Sequence, residues 1–107
     1  MTDRERRKAE NEAAFRAINE EIAQLGRRFE ADPVELVCEC SDPDCTARMR
    51  VSQRDYERIR SEATHFIVVP GHETAGLERI VVREAGYCVV EKGGNAAEIA
   101  TATDPRS

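Results

Sequence analysis

Three of the chain's four cysteines fall within eight residues, in the stretch CECSDPDC at positions 38–45. No other feature limits the fold so strongly, because three thiols this close in sequence must finish close in space. The flanking residues alternate as a strand does, with Val34, Leu36, Cys38 and Cys40 on one face. Ser41-Asp42-Pro43-Asp44 is turn chemistry: an Asp precedes a Pro, and the side-chain oxygens accept from nearby backbone N–H groups. Beyond it Cys45, Ala47, Met49 and Val51 share a face, with Arg48 and Arg50 opposite. The pattern predicts a hairpin with a slightly long loop, whose inward faces carry an apolar patch and all three thiols.

Zinc takes four soft or borderline donors at tetrahedral corners, about 2.3 Å from sulfur and about 2.0 Å from imidazole nitrogen. Cys38 and Cys40 project to one side of the extended segment, and the Asp-Pro turn swings Cys45 back toward them. The fourth corner has several candidates. His72, in the loop PGHE after a predicted buried strand, is favoured because Gly71 permits close backbone approach. Cys88, between Tyr87 and Val89, reads as a small buried residue, though it remains an alternative ligand, as does an open water position. His65 begins a strand and reads as a surface or core imidazole. A disulfide between Cys38 and Cys40 needs strained geometry, and an iron–sulfur cluster would have to recruit Cys88. The expected cofactor is therefore one structural zinc on Cys38, Cys40, Cys45 and His72. Glu39 and Glu73 are the carboxylates that a zinc-dependent hydrolase would draw on; both read instead as solvating the surface or supporting the ligands. A thiolate-rich shell also weakens zinc as a Lewis acid.

A metal would supply what the rest of the chain lacks. With 107 residues, 5% aromatic and no Trp, the chain is one small domain with a thin Val, Ile and Leu core. The formal net charge of −5 argues against indiscriminate binding to nucleic acid or anionic membrane. MTDRERRKAENE has no apolar run that would serve as a signal peptide, and no stretch is long enough to span a bilayer. The expected compartment is the reducing cytoplasm, where clustered thiols point to metal rather than disulfides.

Around the thiols the elements read as α+β with a mostly antiparallel sheet. Thr2 and Glu5 are spaced as a capping box, and Phe15, Ile18, Ile22, Leu25 and Phe29 recur at three and four residues along one helical stripe. That stripe is expected to cover the protein's own sheet, with docking to a second copy or a partner helix as the alternative. Gly26 or Asp32-Pro33 should end the helix. Ser52 caps a short helix over 53–61, and strands follow at 65–69, 78–84 and 87–92, the last two joined at Ala85-Gly86. Residues 1–12 read as a polar extension, 13–94 as one zinc-stapled domain, and 95–107 as a tail with a weak helical turn or two.

No nucleophile elbow, phosphate loop or paired metal-binding histidine motif is present. A non-catalytic protein-interaction or regulatory module, monomeric or homodimeric, with another protein as partner, is the expected function. A nucleic-acid-associated factor would have to use the patch Arg48, Arg50, Arg54, Arg58 and Arg60, which Asp55 and Glu57 interrupt.

The stretches ENEAAFRAINEEI, VCECSDPDC, RDYERIR, FIVVPGHE and YCVVEKGGNAAEIATATDPR together resemble a family of small uncharacterised actinobacterial proteins. Its members carry a C-E-C-x4-C motif, a Tyr-Glu-x-x-Arg-like helix (here Tyr56 to Arg60), a Pro-Gly-His-Glu loop and a Val-Val-Glu-Lys strand. The resemblance covers nearly the whole chain and implies one intact unit. It implies that Cys38, Cys40, Cys45 and His72 belong to the shared pattern and that Cys88 does not. It brings no activity with it.

Overall fold

The Thr2 hydroxyl accepts a hydrogen bond from the Glu5 N–H at 3.1 Å, the bond an N-cap makes. From that cap, helix α1 runs unbroken over Asp3–Arg28 in the computed structural model, which describes residues 2–74 and 78–106. Neither Gly26 nor Asp32-Pro33 ends it. The Ala31 N–H bonds to Gly26 O at 2.7 Å and the Glu30 N–H to Arg27 O at 3.3 Å, with Glu30 at φ 57°. This is a Schellman closure with a glutamate in the left-handed position that glycine usually takes. Gly26 has another use. A Cβ there would lie 2.6 Å from Val34 Cγ1 and 2.8 Å from Gln53 Nε2, so glycine lets the neighbouring strand and helix close onto α1.

Strands β1 (Val34–Val37) and β2 (Arg48–Val51) form an antiparallel hairpin, Val34 opposite Val51 and Val37 opposite Arg48. Helix α2 (Gln53–Arg60) follows, its first turn held by the Asp55 N–H to Ser52 Oγ at 3.1 Å. A second antiparallel sheet contains β3 (His65–Val68), β4 (Glu78–Arg83) and β5 (Cys88–Lys92), in the order β3-β5-β4. The Ala75-Gly76 part of the loop between β3 and β4 lies outside the described residues. Helix α3 (Gly94–Ala102) is longer than the expected turn or two and buries Ala100. The α+β class is as the sequence pattern predicts.

The two sheets meet over a core of Leu36, Met49, Val51, Tyr56, Phe66, Ile67, Val89 and Val90, with Tyr56 and Val90 wholly removed from solvent. Helix α1 closes this core with its polar side. Ala9, Glu12, Arg16, Asn19, Glu20 and Ala23 face inward, so the segment 1–12, expected as an extension, is docked in its second half. The Phe15-to-Phe29 stripe does not cover the sheet. Ile18, Leu25 and Phe29 are 43%, 50% and 74% exposed, and Phe15 and Ile22 are half-buried at the stripe's inner edge.

The reason for this rotation is the surface beneath the helix, which presents backbone and charged groups that need partners. Arg16 donates to Ala63 O at 2.5 Å and Ala100 O at 2.6 Å, with its guanidinium over the Phe66 ring at 4.5 Å. Asn19 accepts from the Val37 N–H and donates to Val37 O, both at 2.8 Å, and so completes the free edge of β1. Lys92 lies between Glu12 and Glu78. Glu20 accepts from Arg60 Nε and Arg106 Nε, each at 2.7 Å. Burial lowers the pKa values of both Arg16 and Lys92. An apolar stripe turned inward would leave all these groups unpaired, at about 1–3 kcal/mol each.

Candidate metal centre

The paired part of the hairpin stops at Val37, so the thiols lie just past it rather than on its inward faces. The Cys38 N–H still bonds to Ala47 O at 3.2 Å, but the next residue changes sheets: the Glu39 N–H bonds to Ile67 O at 2.8 Å. Cys38, Glu39 and Cys40 therefore form the seam where the hairpin joins the edge of β3. The Asp-Pro turn then does what its chemistry predicts. The Asp44 N–H bonds to Asp42 Oδ1 at 2.9 Å and the Cys45 N–H to Asp42 O at 3.1 Å, which folds Cys45 back over the first two thiols.

His72 arrives from the other sheet. After β3, Val69-Pro70-Gly71-His72 makes a tight turn in which the His72 N–H bonds to Val69 O at 2.9 Å and Gly71 takes φ 93°. Pro at the second position and a positive-φ glycine at the third are the requirements of a type II turn. The Val69 N–H points at Cys38 Sγ, 3.2 Å away, so the same turn that aims His72 also holds the first thiol.

The four ligand atoms of Cys38, Cys40, Cys45 and His72 lie within 4.8 Å of one another, a group that can hold a metal ion. His72 Nδ1 is 3.5 Å from Cys45 Sγ and 3.7 Å from Cys38 Sγ. A tetrahedron with ordinary zinc–sulfur and zinc–nitrogen bonds has sulfur–nitrogen edges of about 3.5 Å, so Cys38 and Cys45 already stand at coordination spacing from His72. All four cysteines are free thiols. Cys38 and Cys40 are buried, Cys45 is half-buried, and His72 is exposed at the rim.

Burial pushes the Cys38 thiol up to about 12, against the pull of the Val69 N–H, and raises Cys40 as well. Neutral thiols are thus favoured until a cation supplies the compensating charge, because a coordinating thiol is deprotonated by its metal.

The remaining candidates sit elsewhere. Cys88 is buried in β5, opposite Val68 and Arg83, outside the four-residue group. His65 starts β3, at the end away from His72, with Nε2 3.1 Å from Glu91 Oε2. Glu39 is not a surface carboxylate: it is 1% exposed, and Oε1 accepts from the Ile67 N–H at 3.0 Å while Oε2 accepts from Asn19 Nδ2 at 2.7 Å. Burial raises its pKa to about 7, with the Asn19 and Ile67 donors opposing. Asn19 therefore holds both Val37 and Glu39, fixing the segment that carries two of the thiols. Strand alternation gave no sign of this, since it put Glu39 on the face away from them.

The basic patch is broken. Arg48, Arg50, Arg54 and Arg58 are exposed, but Arg60 is buried against Glu20 and Asp104. Glu57 on the same helix binds Arg27 and Arg106, each at 2.9 Å.

No family model, curated protein or solved structure matches the chain, so its function is read from the site's own geometry. No helix among the described residues is long and apolar enough to cross a membrane.

Proposed function

We propose that this chain is a small zinc-binding protein in which Cys38, Cys40, Cys45 and His72 hold one structural zinc, and that it serves as a non-catalytic protein-interaction or regulatory module. One observation carries the reading: three sulfurs and an imidazole nitrogen, brought from the hairpin and from the turn after β3, converge within 4.8 Å of one another. Three thiolates and one imidazole are a donor set that suits zinc, and four protein donors complete a tetrahedron, the pattern of structural rather than catalytic sites. Cys38, Cys40 and Cys45 belong to the hairpin segment and His72 to the turn after β3, so a metal there would join the hairpin to the β3-β5-β4 sheet. Four free thiols suit a reducing compartment, and the cytoplasm is where we place the protein.

The test is direct. Purified protein should carry one zinc per chain by elemental analysis, and cobalt substitution should give the absorption of a tetrahedral site with three sulfurs and one nitrogen. Chelation should abolish the cooperative thermal transition, because metal binding to such a site is folding free energy, about 10–16 kcal/mol in zinc-finger peptides. Cys88→Ser should retain the metal, whereas His72→Ala should weaken its binding. A metal-free protein that melts at an unchanged temperature overturns the proposal.

A further inference from the structure

Ile18, Leu25 and Phe29 leave the outer side of the α1 stripe exposed, while Phe15 is half-buried and Ile22 packs against the core at its inner edge. Phe15, Ile18, Ile22, Leu25 and Phe29 follow the three-four spacing of a coiled-coil seam over two heptads. At 100° per residue the seam is centred about 120° around the helix from the docked polar face, so its outer edge turns to solvent. We infer that α1 pairs antiparallel with α1 of a second copy of this chain, independently of whether the four-ligand site holds metal.

The flanking residues select the occupant and its direction. Along the outer edge of the seam lie Ala14, Glu21 and Arg28; the other edge, Asn19 and Gly26, is buried in the chain itself. In an antiparallel pair with Ile22 facing the partner's Leu25, Ile18 faces the partner's Phe29. Glu21 then comes within a turn of the partner's Arg28, and two-fold symmetry repeats each contact. Neither Glu21 nor Arg28 has an ion pair within its own chain among the described residues; the Arg28 guanidinium lies only over the Phe29 ring, at 5.9 Å. A parallel pair forms no such bridge. Followed backward, the seam also becomes Asn11, Lys8 and Arg4, so a parallel pair would set Lys8 against Lys8 and Arg4 against Arg4. The antiparallel arrangement runs these polar halves past the partner's helix end. The seam is thus complementary to itself in one direction only.

The experiment is sedimentation equilibrium on the full chain as purified, in reducing buffer, with far-UV circular dichroism as the folding control. The wild-type protein should run at twice its 12.0 kDa mass at about 50 µM. Leu25→Glu should weaken association by on the order of 100-fold, since it buries a charge in the seam. Should that variant fail to fold, the exposed charge change Glu21→Arg carries the test: it should weaken the dimer about 10-fold, and the double swap Glu21→Arg with Arg28→Glu should restore it. A monomeric wild-type protein at that concentration overturns the inference and leaves the stripe to a foreign helix. A dimer indifferent to Leu25→Glu or to the charge swaps overturns it equally.

Discussion

Two interiors exist side by side in this small protein, and they are built on opposite terms. Between the strands and α2, Leu36, Val51, Ile67, Val89 and Val90 fill space with hydrocarbon side chains, and Phe66 borders the second interior, with Arg16 over its ring. Beneath α1, Glu12, Arg16, Asn19 and Glu20 are equally buried, and each meets a named partner at hydrogen-bonding or ion-pairing distance. The apolar interior is specified by volume, so many shapes of the right size will serve. The polar one is specified by donors and acceptors, and almost nothing can be exchanged there without stranding a buried group. The difference teaches that α1 is held largely by hydrogen bonds and ion pairs, with Ala9, Ala23 and Ile22 as its apolar contacts, which leaves Ile18, Leu25 and Phe29 outside.

Conservative substitutions sharpen that contrast most. Asn19→Asp keeps the shape of the side chain but removes both amide donors and sets a carboxylate against Glu39. It should cost about 3–5 kcal/mol in chemical denaturation, the range for breaking a buried charged network. Ile67→Val, an equally small change at a fully buried position, should cost only about 0.5–1.5 kcal/mol in the same measurement. Equal costs for the two would show that the interiors do not differ as described. The smallest effect has the opposite sign and lies at neither interior. Glu30→Gly relieves the left-handed conformation at the end of α1 and should stabilise the fold by about 0.5–1 kcal/mol, read as a raised denaturation midpoint with an unchanged slope.

The sequence announced what depends on short-range chemistry. The caps at Thr2 and Ser52, the Asp42 turn, the Pro70-Gly71 turn and the strand runs follow from local rules, and with them the convergence of Cys38, Cys40, Cys45 and His72. What escaped is what depends on distant partners. The stripe of α1 has the periodicity of a buried face, and nothing in its own heptads reveals that the docking surface is lined with unpaired carbonyls and charges. Arg60 counted as part of a basic patch because Glu20 and Asp104 are forty residues away or more along the chain. Asn19 has the pattern of any polar helical residue, and its three hydrogen bonds to Val37 and Glu39 lie beyond the reach of local rules. Gly26 suggested a helix end, while its actual use, room for Val34, is a property of two segments together.

The separation of the polar contacts along the chain has a consequence for how the protein is made. Arg16 waits for Ala100, Glu12 for Lys92 and Glu20 for Arg106, across 84, 80 and 86 residues. Helix α1 is synthesised before the groups that hold its polar side. Its apolar stripe needs no such wait, and is the stickier side from the beginning. Until those later groups arrive α1 has no complete polar surface to dock on, and its interior stays open longer than the hairpin that folds beside it.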